Sequence, residues 1–334
     1  MIMNENMGTS FLKITDIINT AKRNAFSKVN EELINMYWNI GEFLSVEVDK
    51  ASFGDSYVDS VAMYIQKEFP GIKGFTRRGL YRMKQFYEIY CDDEFVTTLL
   101  TQINWSNHLA IISKAKIKEE RHFYITLCVK ERYTARELQR QIDSGYYERY
   151  MLSKDKISSE LQNRGGEIPF LDTYVFDFLS LPQNYKEHDL QKAILNNLKD
   201  FILEFGKDFA FIDEEYKLEV GNRDFYVDLL FYHRGLSCLV AFELKIGRFE
   251  PEYISKLDFY LEALDRQYRK ENENPSVGVL LCATKDDEVV EYALSRSLSP
   301  TMVADYTLQL PDKKILQRKL KELSEIADQQ LENL

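Results

Sequence analysis

The 334 residues are 45% hydrophobic and 29% charged, which is the make-up of a globular chain able to bury a sizeable core. At roughly 100–200 residues per domain, this length predicts two domains. The formal charge is −11, from 43 Lys and Arg against 54 Asp and Glu. That balance excludes a chain that coats nucleic acid by bulk charge, but not a nucleic-acid enzyme built around an acidic metal site.

Residues 11–50 carry apolar side chains at helical spacing, first Ile14, Ile17 and Ile18, then Leu33, Met36, Tyr37, Ile40, Phe43 and Leu44. Residues 55–69 predict a second amphipathic helix, stopped by Pro70-Gly71. Thr76 is the expected N-cap of a basic helix reaching Tyr90, with Arg77, Arg78, Arg82 and Lys84 in its first half. A helix, a short turn and a basic helix follow the layout of a helix-turn-helix. Taken alone, the segment reads more simply as a solvated basic face on a bundle helix. Two more helices are predicted over 118–130 and 134–149. The polar stretch 150–168, with Gly165-Gly166, reads as a linker.

Beyond Pro169 the pattern changes. A helix over 189–205 is expected to end at Gly206. Three β-rich runs follow, at 209–220, 224–234 and 238–246, separated by Gly221-Asn222 and Arg234-Gly235. Turn signals at such short spacing predict a meander or hairpin pair. A helix over 252–270, a continuously apolar strand at 277–284, a helix at 286–296, a strand near 302–308 and a helix at 313–331 complete the chain. The order αβββαβαβ predicts an α/β domain with a mixed central sheet.

Cys91, Cys128, Cys238 and Cys282 form no CxxC pair, so a zinc ribbon is not expected, and sparse thiols fit a reducing compartment. The N-terminus shows no signal-peptide pattern, and no apolar run approaches ~18 residues. A cytoplasmic protein with no membrane segment is the expectation.

Three ionisable residues interrupt apolar strands: Asp228 in FYVDLLFY, and Glu243 and Lys245 in LVAFELKI. A period of two places Glu243 and Lys245 on one face. Pairing of the two strands across 234–235 brings Asp228 near Glu243. Leaving such groups buried without partners costs several kcal/mol each, as a rough figure. A divalent cation such as Mg²⁺ offsets that cost, because it takes one or two carboxylates plus waters and phosphate oxygens. Beside it, the Lys245 ammonium can orient a water for phosphodiester hydrolysis. The competing reading is a strand-face salt bridge of Glu243 with Lys245, and Asp228 paired elsewhere.

These residues, in DFYVDLLFYHRGLSCLVAFELKIGRFEPEYISKLDFYLEALD and NPSVGVLLCATKDDEVVEYAL, resemble the YhcG-like family of the PD-(D/E)XK nuclease superfamily. WNIGEFL, GFTRRGLYRMKQFY, INWSNHLAII and YTARELQRQI extend the resemblance through the N-terminal half. It implies a mainly α-helical, winged-helix-like DNA-binding domain over 1–150, a linker at 151–168, and a restriction-endonuclease-like nuclease domain over 169–334. It also implies an Mg²⁺- or Mn²⁺-dependent bacterial deoxyribonuclease acting in DNA repair, recombination or defence against foreign DNA. Asp228 and Glu243 match the metal-binding acids, Lys245 matches the catalytic lysine, and the Leu244 carbonyl matches a further metal ligand. Val227 stands where the superfamily's name has proline. Gln191 stands near a position where many members carry a glutamate, which leaves one or two metals open. Glu204 and Glu219 are alternative carboxylates, each more often a surface residue.

Lys256 and Tyr260 are candidate site-support residues on the following helix, with a solvated face and a core aromatic as the simpler readings. Arg223 and Arg248 flank the acidic strands. His108, His233, Trp38 and Trp105 are expected in core or hydrogen-bonding roles. DNA is the expected partner, gripped in part by Arg77, Arg78, Arg82 and Lys84, and a homodimer is expected by analogy. The alternative function is a DNA-binding protein or complex subunit on an inactive nuclease fold. Residues 67–149 hold 15 basic and 11 acidic residues (+4), while 172–312 hold 15 and 27 (−12). DNA affinity is therefore expected to depend on the N-terminal domain.

Overall fold

The computed structural model describes residues 5–50, 54–153, 158, 161, 170–295 and 297–332. It divides into two compact units, meeting between Gln139 and Arg140. Most of the expected linker lies outside the described residues.

Among the described residues the first unit is all helix. It comprises α1 (Glu5–Lys50), α2 (Gly54–Glu68), α3 (Arg77–Tyr90), a single turn α4 (Glu94–Thr97), α5 (Trp105–Lys114) and α6 (Lys118–Glu131), and ends within α7 (Ala135–Asp143). No strand that could form a wing is present among them. Thr76 caps α3 as expected, its Oγ1 accepting from the Gly79 amide at 3.2 Å. Leu44, Val58, Phe75, Leu80 and Met83 form a core where α1, α2 and α3 meet. Gly41 of the WNIGEFL motif sits at the closest α1–α3 approach, where an added Cβ would stand 2.2 Å from the Met83 carbonyl oxygen. Trp105 packs 4.6 Å from Tyr37 and 5.2 Å from Phe86, and Trp38 also contacts Phe86, so both tryptophans are core anchors.

His108 is fully buried beside them, with Nε2 2.9 Å from the Leu100 carbonyl and Nδ1 without a hydrogen-bond partner. Burial pushes its pKa down to about 4. An unfolded chain takes up that proton near pH 6.5, so His108 costs stability as pH falls from there toward 4. The loss reaches about 3 kcal/mol at most. Urea unfolding followed at neutral and acid pH should show this slope in the wild type and a shallower one in His108→Gln. Equal slopes would exclude the assignment.

The second unit continues through α7 and α8 (Tyr146–Leu152). The single helix expected over 134–149 is broken at Ser144-Gly145, where Gly145 adopts φ +66°. Then come β1 (Thr173–Val175), α9 (Glu187–Asn196), α10 (Leu198–Phe205), β2 (Phe209–Val220), β3 (Arg223–His233) and β4 (Cys238–Leu244). They are followed by α11 (Glu252–Gln267), β5 (Val277–Cys282), α12 (Asp287–Leu294), β6 (Thr301–Thr307) and α13 (Lys313–Glu332). The expected helix over 189–205 is also two helices. Asn197 leaves helical geometry and its side chain bonds back to the Ala193 carbonyl, the competition with the backbone typical of Asn.

The six strands run β1-β6-β5-β4-β3-β2. β2, β3 and β4 form the expected antiparallel meander, while β4, β5, β6 and β1 are parallel. Gly221 and Asn222, at φ +60° and +59°, make the two-residue hairpin between Val220 and Arg223. Alternate strand residues enter opposite layers. Leu230, Ala241, Leu280 and Val303 pack with Leu257, Leu261 and Leu264 of α11 and Val290 and Leu294 of α12. Phe231 and Phe242 face the other way, onto Phe201 and Phe205 of α10.

Residues 140–152 are tied into this unit by Glu204. Its fully buried carboxylate accepts from Arg140 at 2.8 Å, Arg149 at 2.7 Å and the Val175 amide at 2.8 Å.

Candidate active site

The β3–β4 ladder is paired up to Leu229 and Phe242, and the next residue on each strand is Asp228 and Glu243. The sheet therefore delivers both carboxylates to one place, where the β3–β4 ladder ends, in the middle of β3 and near the end of β4. Asp228 Oδ2 accepts from the Leu244 amide at 2.7 Å, which fixes it across the end of β4. The Leu244 carbonyl accepts from Lys245 Nζ at 3.0 Å.

Glu243 is completely buried. Its Oε1 receives two ammonium groups, Lys245 Nζ at 2.9 Å and Lys256 Nζ at 2.5 Å. Its Oε2 is buried with no hydrogen-bond partner. An unsatisfied carboxylate oxygen inside a protein is costly, and a bound ion or an ordered water is what would satisfy it. Asp228 is half-buried, and its pKa is pushed up to about 6 by burial and then by the Glu243 charge. The Leu244 amide and the two lysines oppose that shift. Lys245 is buried, and that burial works against its charge. Glu243 and Glu187 outweigh it and hold the ammonium above its ordinary pKa. Lys256 is likewise raised, against its own burial, mainly by the Glu243 hydrogen bond and charge. Its Nζ lies 5.3 Å from the centre of the buried Tyr260 ring.

Gln191 of α9 is buried and donates from Nε2 to the Asp228 carbonyl at 2.9 Å, leaving its Oε1 as the remaining acceptor. Asp228, Glu243, Leu244, Lys245, Gln191, Lys256 and Tyr260 are therefore all brought together. Three neighbours escaped the sequence reading. Glu187, one helical turn before Gln191, bonds Lys245 Nζ at 3.1 Å. The Tyr253 ring centre lies 5.4 Å from that ammonium, and the Tyr306 hydroxyl donates to the Lys245 carbonyl at 3.3 Å. The i, i+4 spacing of Glu187 and Gln191 was the available signal, since it puts both on one helix face.

Other candidates lie elsewhere. Glu204 is neither a surface residue nor a member of this cluster, but the buried partner of Arg140 and Arg149. Glu219 is exposed on β2, where its backbone carbonyl accepts from Gln267. Arg223 stacks on Phe225, and Arg248 pairs with Asp286 at 3.5 Å. His233 accepts from the Leu236 amide at 2.9 Å, a turn contact. In the first unit, Arg77 lies 3.5 Å from Asp59, Lys84 pairs with Glu88, Arg78 is exposed and Arg82 half-buried.

No cluster of three or more His, Cys, Asp or Glu side chains suited to a metal occurs among the described residues. The donor set where the β3–β4 ladder ends is two carboxylates with a backbone carbonyl and an amide oxygen nearby. All-oxygen sets of this size suit a hard divalent cation that keeps several waters. The orphaned Glu243 Oε2 gives such a cation a ligand already stripped of water. The residues present thus fit an Mg²⁺ or Mn²⁺ ion.

A helical module followed by a mixed sheet, with acid, acid and lysine where the β3–β4 ladder ends, defines a two-domain protein of the PDDEXK nuclease class. Residues 169–321 match the YhcG PDDEXK nuclease domain, and residues 13–149 match the DUF1016 N-terminal domain. The chain thus carries a YhcG PDDEXK nuclease domain in its C-terminal part and a DUF1016 N-terminal domain ahead of it. It is 28% identical to the Escherichia coli (strain K12) protein named "Putative nuclease YhcG", in a 342-residue alignment covering 91% of this chain and 90% of the relative. Among solved structures it is similar to a repair endonuclease from Pyrococcus abyssi (18% identity, 39% of this chain and 50% of that one, TM-score 0.26). It is also similar to EndoMS in a complex with double-stranded DNA (19% identity, 40% of this chain and 48% of that one, TM-score 0.26). The chain thus spans about half the length of those two proteins. No described helix is long and apolar enough to cross a membrane.

Proposed function

We propose that the C-terminal domain hydrolyses DNA phosphodiester bonds with a divalent cation held by Asp228, Glu243 and the Leu244 carbonyl. The observation that carries this reading is the buried, unsatisfied Oε2 of Glu243 beside the Asp228 carboxyl. When bound, the cation supplies Lewis acidity toward a phosphate oxygen and a water. Lys245 stays protonated between Glu243 and Glu187, so it acts as a hydrogen-bond donor that orients the attacking water, not as a base. Gln191 holds the β3 backbone at Asp228, and Lys256, whose side chain is 44% exposed beside Glu243, can meet a phosphate. Arg77, Arg78, Arg82 and Lys84 serve the N-terminal domain as phosphate contacts, which position a duplex without reading its sequence. DNA repair, recombination and defence against foreign DNA are the roles that the family resemblance favours, in the cytoplasm.

Incubating the pure protein with duplex, single-stranded and branched DNA plus Mg²⁺ or Mn²⁺ tests this directly. Cleavage that needs the metal and Glu243 is expected. Binding without cleavage, or preferential cutting of RNA, would overturn it. A non-catalytic DNA-binding scaffold is the second reading, and one observation favours it: two ammonium groups already neutralise Glu243 Oε1.

Metal-free stability separates the two readings without an activity assay. The Asp228 carboxyl is raised from 3.8 to about 6, so the folded state holds its proton more tightly than the unfolded chain. Stability from that proton is complete below pH 4 and is lost as pH rises through 6. Asp228→Asn should therefore stabilise the metal-free protein at pH 7.5, by about 2 kcal/mol. The gain should vanish near pH 3.8, and added Mn²⁺ should raise the melting temperature of the wild type but not of the variant. A wild type whose melting is indifferent to Mg²⁺ and Mn²⁺ would leave only the scaffold reading.

A further inference from the structure

Two ammonium groups share one oxygen of Glu243, and they are held very differently. Lys245 Nζ has three acceptors: Glu243 Oε1 at 2.9 Å, Glu187 Oε2 at 3.1 Å and the Leu244 carbonyl at 3.0 Å. It also stands over the Tyr253 ring, and its side chain is 11% exposed. Lys256 reaches the same oxygen from α11. Its acceptor is Glu243 Oε1 at 2.5 Å, with the Tyr260 side chain beside it. Deprived of Glu243, Lys245 keeps a carboxylate and a carbonyl. Lys256 would exchange its carboxylate for water, and its side chain is already 44% exposed. An ammonium on a flexible four-carbon stem is strongly hydrated, and a partly exposed ion pair is worth little. Lys256 is therefore the one of the two that leaves Glu243 at small cost.

Charge says when it leaves. Asp228, Glu243 and Glu187 bring three negative charges to the site, and Lys245 and Lys256 bring two positive ones. The Lys256 charge acts on both carboxylates proposed to hold the cation, on Glu243 by contact and on Asp228 through space. In the metal-free protein it helps those two carboxylates to lie side by side. A divalent cation on the open Oε2 of Glu243 would meet Lys256 on the other oxygen of the same carboxylate, a like charge a few ångström away. In a partly buried site that repulsion is poorly screened. Moving Lys256 off the carboxylate relieves it, and a phosphate oxygen is the acceptor that best replaces the one lost.

We propose that Lys256 is a resident stand-in for the metal: it neutralises Glu243 in the metal-free protein, gives way when the cation binds, and turns to the DNA phosphate. The inference rests on the metal-dependent reading above. It makes Lys256 a determinant of metal affinity as well as a phosphate contact. It also couples the two ligands, because DNA that captures Lys256 strengthens cation binding, and by reciprocity the cation strengthens DNA binding.

Mn²⁺ binding to the full-length protein without DNA, followed by the electron paramagnetic resonance of the free ion, reads the competition. Asp228→Asn sets the baseline for Mn²⁺ taken up elsewhere. Lys256→Met should bind Mn²⁺ at least about tenfold more tightly than wild type. Lys256→Arg keeps the charge and should stay within a few-fold of wild type. Reductive methylation, read by mass spectrometry, follows the displacement itself. Saturating Mg²⁺ should raise the labelling of Lys256 several-fold and leave Lys245 protected by Glu187 and the Leu244 carbonyl. A Lys256→Met protein that binds Mn²⁺ no more tightly than wild type, or Lys256 labelling that Mg²⁺ leaves unchanged, would overturn the displacement while the metal site stands. Mn²⁺ uptake no greater than the Asp228→Asn baseline in both wild type and Lys256→Met would overturn the metal reading and this inference with it.

Discussion

Glu243→Gln should abolish nuclease activity and lower stability in the same protein. The substitution keeps the shape of the side chain and removes its charge. Two ammonium groups, Lys245 and Lys256, then face an amide in place of a carboxylate. Breaking a buried ion pair by neutralising one partner costs about 3–5 kcal/mol. The figure here should fall at the lower end, because the Lys256 side chain is 44% exposed and water screens it. On the chemical side, removing the charge of a proposed ligand weakens cation binding and should cost at least about 10² in rate. The two effects are separable. Activity measured well below the melting temperature reports the chemistry, and thermal unfolding without metal reports the ion cluster. Residual cutting within a few-fold of wild type would remove Glu243 from the site. Lys245→Met gives a contrasting pattern. It leaves Glu243 paired with Lys256, so it should lose activity with a smaller loss of stability.

The site was legible because it broke a local rule. Ionisable residues in the middle of apolar strands have few structural explanations, and period-two alternation with a hairpin was enough to put Asp228 beside Glu243. The turn at Gly221-Asn222 and the cap at Thr76 were equally readable, since each depends on one or two residues with special backbone or side-chain chemistry. What stayed hidden depended on residues distant in sequence. Three residues of β1 carry no periodic signal, and they become a strand only because β6 offers a parallel edge to Thr173–Val175. Helix breaks at Asn197 and Gly145 were masked by apolar spacing that runs straight through them. Glu187 lies just ahead of the helix expected over 189–205, and only the fold brings Lys245 to it. Glu204 misled in the opposite sense. Acidic residues near a helix end are commonly exposed, and nothing local shows that Arg140 and Arg149 reach it from more than 50 residues away.

Glu204→Ala should be the most destabilising single change in the second unit, and it should do so without touching the candidate active site. The carboxylate is fully buried and satisfies three donors: two guanidinium groups and the Val175 amide of β1. Arg140 keeps Asp177 at 2.9 Å and the Val175 carbonyl after the change. Arg149 is worse placed. Its side chain is 3% exposed, and its other acceptors are neutral, the Ser144 and Thr173 carbonyls and the Ser144 hydroxyl. An uncompensated charge at that depth costs about 3–5 kcal/mol. For a unit of this size that is a fall of roughly 10 °C in melting temperature. Removing both charges should recover much of the loss, because a buried pair replaced by apolar groups of similar volume is close to neutral. Glu204→Leu/Arg149→Met should therefore melt well above Glu204→Ala, and the double-mutant cycle should give a coupling of at least about 1 kcal/mol. Mn²⁺ should still raise the melting temperature of both variants. Melting of Glu204→Ala within a degree or so of wild type would show that water reaches Arg149, and that residues 140–152 are held to the sheet by apolar contacts alone.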